Sequence, residues 1–112
     1  MRDGVVVWVS ERRRELFERR RGELERALEL LVERLEGLLG REAPPRGLLG
    51  FVDRSPMFPP GAPLVLTGRE WRLLRRLALL QQLVNPKGGE KRAETLLMLA
   101  LYVYLSQPLY AG

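Results

Sequence analysis

Between Glu11 and Leu39 the chain contains no proline. Its apolar residues Phe17, Leu24, Leu28, Leu31, Leu35 and Leu38 return at alternating spacings of four and three after one seven-residue step. That period predicts a long amphipathic helix over 11–39, because only an α-helix brings such positions to one side. Ala27, Val32 and Leu39 widen the stripe beyond a two-position seam, so the helix is expected to pack into a globular or bundle core and not to serve only as a dimer zipper. Gly22 weakens it locally and Gly40 is a natural stop.

Residues 41–63 are the opposite in character. Pro44, Pro45, Pro56, Pro59, Pro60 and Pro63, with Gly47, Gly50 and Gly61, exclude regular helix through most of a connector. Within and beside it, Leu48 to Val52 and Leu64 to Leu66 are short enough and apolar enough for strands, and Val5 to Val9 is a β-branched and aromatic run of the same kind. Ser10 can cap the helix after it.

Thr67 with Glu70 three residues later is a capping box, with Leu66 and Trp71 at the staple positions, and predicts a helix over 68–84. Asn85 to Gly89 is a turn around Pro86, and a last helix over 90–106 ends before Pro108. This last helix is apolar all round after Thr95, which suggests a central position. The expected fold is therefore mainly α, with three helices packed around the last one and one to three short strands. At 112 residues the chain has the length of a single domain, 1–112: a strand plus long helix (4–40), the connector (41–63), a helical hairpin (64–107) and a tail (108–112).

Composition narrows the chemistry. Cysteine and histidine are both absent, which removes disulfides, thiolate and imidazole catalysis, and the usual zinc and copper ligand sets. With 46% apolar and 29% charged residues the chain reads as globular. The apolar run Val5 to Val9 is too short for a secretory signal, and the uncharged run Thr95 to Leu105 is well short of the roughly 20 residues that cross a bilayer as a helix. A cytoplasmic protein without membrane insertion, metal or cofactor is expected. Asp53 is a single loop acid with no second carboxylate clustered beside it and carries no acid/base assignment, so no catalysis is expected.

The charges are arranged unevenly. Arg12, Arg13 and Arg14 recur seven residues later as Arg19, Arg20 and Arg21, opposed only by Glu15 and Glu18, whereas residues 22–36 hold Glu23, Glu25, Glu29, Glu33 and Glu36 against Arg26 and Arg34. This polarity opposes the helix macrodipole, so helix stability alone does not explain it. Three readings are open. The basic half docks on nucleic-acid phosphates; two copies lie antiparallel through residues 17–38, basic half against acidic half; or the helix simply presents a solvated face with pairs such as Glu15 to Arg19 and Arg21 to Glu25.

On the second helix, Arg69, Arg72 and Arg76 share a face with Arg75 at its border, and in the sequence only Glu70 offsets them. Lys87, Lys91 and Arg92 add to this excess around the turn. The expected phosphate-contacting set is therefore Arg69, Arg72, Arg75, Arg76, Lys87, Lys91 and Arg92, with Arg12, Arg13, Arg19 and Arg20 on the first helix. Trp8, Trp71, Tyr102, Tyr104 and Tyr110 could stack on bases, although helical and strand spacing favours a core role for most of them, and only Tyr110 in the tail is expected to be exposed.

The 13 residues from Leu66 to Ala78 resemble the opening helix of the DNA-binding domain in winged-helix response regulators. The residues after Ala78 depart from that pattern, with one turn and one apolar helix in place of a recognition helix and wing. The order of a long helix, a loop, a threonine-capped helix and an apolar tyrosine-bearing helix also resembles the small helical subunits of CRISPR effector complexes, which line a nucleic-acid strand. Neither resemblance is a family recognition. The expected function is a non-catalytic nucleic-acid-binding protein, or helical subunit of a nucleoprotein complex, making backbone contacts with DNA or RNA. The alternative is an adaptor that self-associates or binds a protein through its amphipathic and apolar helices.

Overall fold

The strand Val5–Val9 (β1) ends at Ser10, whose hydroxyl accepts the Arg13 N–H and so starts the next helix. The computed structural model describes residues 4–47, 61–88 and 91–107. The stretch expected as one helix is two, α1 (Glu11–Arg19) and α2 (Arg21–Leu39), separated at Arg20 with φ −103° and ψ 26°. Two causes are visible. Gly22 lowers helix propensity just beyond the break. The break also relieves the dipole conflict in the sequence, because Arg19 becomes the basic last turn of α1 and Glu23 the acidic first turn of α2.

α2 ends at Gly40, which takes a positive φ of 58°, and a short 3-10 turn follows at Gly40–Glu42. The candidate strand at 48–52 and the tail at 108–112, with Tyr110, lie outside the described residues. The later strand, β2 (Ala62–Leu66), starts two residues before the expected position and pairs antiparallel with β1, Val5 opposite Leu66 and Val9 opposite Ala62. Period-two alternation sends Val7, Val9, Ala62, Leu64 and Leu66 into the core and leaves Val6, Pro63 and Val65 on the outer face.

Thr67 caps α3 (Gly68–Val84) with the complete capping box: its hydroxyl accepts the Glu70 N–H at 3.0 Å, and the Glu70 carboxylate accepts the Thr67 N–H at 2.9 Å. A 3-10 turn at Pro86–Gly88 leads towards α4 (Ala93–Leu105).

α2 is the central element, in place of the last helix. It packs against both α3 and α4 and contributes Leu24, Ala27, Leu28, Leu31 and Val32 to the core. α4 buries Ala93, Leu96, Leu97, Ala100 and Leu101 but exposes Leu99, Tyr102 and Leu105. An evenly apolar helix gives no direction in its sequence, and here α2 and β1 cover one side of it. The stripe offered for a homodimer through 17–38 is largely occupied at home: Phe17, Leu24, Leu28 and Leu31 are buried in the chain's own core, and of this row only the distal Leu38 is exposed. Among the described residues, no helix is long and apolar enough to cross a membrane.

Candidate nucleic-acid interface

The arginines of α3 do not form the uncompensated stripe that the sequence suggested. Packing of α3 on α2 brings that row against the acidic half of α2. Arg69 reaches Glu25 and Glu29, and these carboxylates, Glu29 foremost, raise the pKa of its guanidinium. Arg76 is 4% exposed and donates to Glu36 Oε2 from Nε (3.0 Å) and Nη2 (2.9 Å), and to the carbonyls of Pro44 (2.6 Å) and Pro45 (2.9 Å). Glu36 also receives Arg46 at 2.7 Å. The acids that appeared as half of a charge dipole are the counter-charges of α3, a long-range pairing that periodicity along one helix cannot reveal.

Between these two pairs Arg72 stays exposed and has no ion pair among the described residues. It lines a cleft of about 430 Å³ between α2 and α3, with Glu29, Glu33, Arg46, Arg69 and Arg76. Arg46, a connector residue that sequence reasoning passed over, is thus part of this site. Arg75 stacks beside Trp71, its guanidinium carbon 5.9 Å from the ring centroid.

The basic half of the first segment is partly spent as well. Glu94, near the start of α4, accepts from Ser10 N (3.2 Å), Ser10 Oγ (3.0 Å) and Arg13 Nη1 (3.2 Å). This carboxylate fastens the start of α1 to the start of α4. Arg20 pairs with Glu23 at 3.0 Å, and Arg21 joins Glu18 and the buried Glu70. These pairs replace the expected Glu15 to Arg19 and Arg21 to Glu25. Arg14 Nε donates to the carbonyl of Pro63 at 2.8 Å, and Arg21 donates to that of Val65.

The eleven sequence-predicted bases therefore divide. Arg13, Arg20, Arg69 and Arg76 are held in ion pairs, and Arg75 is engaged beside Trp71. Arg12, Arg19, Arg72, Lys87, Lys91 and Arg92 have no ion-pair partner among the described residues. Of these, Arg12 lies in the first turn of α1 and Lys91 and Arg92 immediately precede α4, the two helix starts that Glu94 joins, with Lys87 on the earlier 3-10 turn, while Arg72 lies apart in the α2–α3 cleft.

No protein-family model, curated protein or solved structure matches the chain.

Proposed function

We propose that this is a non-catalytic nucleic-acid-binding protein whose exposed bases contact backbone phosphates. The observation that supports it is the charge left over after internal pairing. Glu11, Glu15, Glu33 and Glu42 are the described acids without an ion pair, and they face a longer set of unpaired bases that includes Arg12, Arg19, Arg72, Lys87, Lys91 and Arg92. With a net charge of +5, such a surface attracts polyanions, and each neutralised phosphate releases condensed counterions. The group around the α1–α4 junction is the primary contact in this reading, with Arg72 secondary. Arg69 and Arg76 act in it as framework.

The test is fluorescence anisotropy with labelled single- and double-stranded oligonucleotides across a salt series. Affinity should fall linearly with salt on logarithmic axes. Replacing Lys87, Lys91 and Arg92 together by Gln should flatten the slope by about 0.7–0.9 for each phosphate no longer neutralised. Absence of salt-dependent binding would overturn the reading. The exposed row Leu99, Tyr102 and Leu105 on α4 favours the second reading, an adaptor with a protein partner.

A further inference from the structure

The cleft of about 430 Å³ between α2 and α3 has the size of a small-molecule pocket, and its lining mixes two kinds of surface. Val32, 1% exposed, and the half-buried Leu73 supply an apolar part. The rest is charged, and most of that charge is cancelled within the fold. Arg69 holds Glu25 and Glu29, while Arg46 and Arg76 share Glu36. Two lining charges are left over, Arg72 on α3 and Glu33 on α2. Both are exposed, and neither has an ion pair or a side-chain hydrogen bond among the described residues, not even with the other.

Their opposite signs restrict what the cleft can hold. A simple anion is drawn to Arg72 but meets Glu29 and Glu33 on the α2 wall, and a simple cation meets the guanidinium of Arg72 in turn. We infer that the cleft binds a small zwitterion with an apolar body, the chemistry of a free α-amino acid with an apolar side chain. Its carboxylate takes the planar fork of Arg72, its ammonium donates to the Glu33 carboxylate, and its side chain lies against Val32 and Leu73. Arg69 and Arg76 tie α3 to α2 before any ligand arrives, so the walls are already in place and the ordering cost of binding is small. The inference does not rest on nucleic-acid binding, in which Arg72 is a secondary contact; Arg12, Lys87, Lys91 and Arg92 do not line this cleft.

Proton–nitrogen correlation NMR of the full chain, titrated with L-leucine in the absence of nucleic acid, tests it. The expected result is saturable shifts of the Val32, Glu33, Arg72 and Leu73 amides with a Kd of about 1 mM or below. Isocaproate, which lacks the ammonium, and isoamylamine, which lacks the carboxylate, should each bind about tenfold more weakly. Arg72→Gln and Glu33→Gln change exposed side chains and should keep the wild-type melt, and each should weaken leucine by about tenfold. Glu33→Gln should not weaken isocaproate, nor Arg72→Gln isoamylamine. Absence of saturable shifts at these four amides overturns the proposal. So does isocaproate binding as tightly as leucine, which would make the cleft an anion site only, or leucine binding that neither variant weakens. Because the titration contains no oligonucleotide, its failure and the failure of the nucleic-acid reading are separate results.

Discussion

Arg76 and Glu36 are joined by two hydrogen bonds to a single carboxylate oxygen, and the same guanidinium holds the carbonyls of Pro44 and Pro45 against α3. One side chain thus fixes α2, α3 and the start of the connector in mutual position. Truncation to Ala would leave Glu36 short of its inner partner and two carbonyls without donors. The expected loss is about 2–4 kcal/mol in chemical denaturation. Arg76→Lys should recover only part of it, because an ammonium cannot reproduce the planar fork. Arg72→Gln, by contrast, should leave stability within about 0.5 kcal/mol.

Thr67 is exposed, yet it completes the capping box whose acid, Glu70, is buried against Arg21. Thr67→Ala should cost about 1 kcal/mol, and Thr67→Ser considerably less, measured as the change in urea midpoint.

Two glycines should respond in opposite directions to the same substitution. Gly61 has a φ of +88°, and an added Cβ would sit 2.1 Å from the Val9 carbonyl oxygen, so Gly61→Ala should destabilise by at least ~2 kcal/mol. Gly37 lies within α2 facing open space, and Gly37→Ala should stabilise by about 0.5–1 kcal/mol. Thermal melts of the two variants, read beside wild type, check both signs.

Gln81 is buried in α3, and its Oε1 has no hydrogen-bond partner among the described residues. An unmet buried acceptor costs stability, so Gln81→Met should raise it by roughly 1 kcal/mol in calorimetry. A lower melting temperature would mean that the amide is satisfied in solution.

The legible parts of this chain were those with local causes. The Thr67 box, the α3 bounds and the β1 strand follow from residues within one or two turns of each other. The Leu24, Leu28 and Leu31 stripe was readable as core, but its neighbours were not, since periodicity names a face and not its cover. The break at Arg20 was hidden because the apolar period runs through it from Phe17 to Leu24. The candidate site was the least legible. The pairing of Arg69 depends on Glu25 and Glu29, some forty positions away, and only the packing of α3 on α2 shows that it is neutralised while Arg72 has no ion pair among the described residues.

The pairing of β1 with β2 joins segments half the chain apart, with α1, α2 and the connector between them. Closing so large a loop is entropically slow compared with winding a helix or docking α3 on the nearby α4. The sheet is therefore expected to form late, on the native side of the folding barrier. Destabilising substitutions at Val7 or Leu64 should speed unfolding and hardly change the refolding rate, so the lifetime of the native state, more than the speed of reaching it, is set by these ten strand residues.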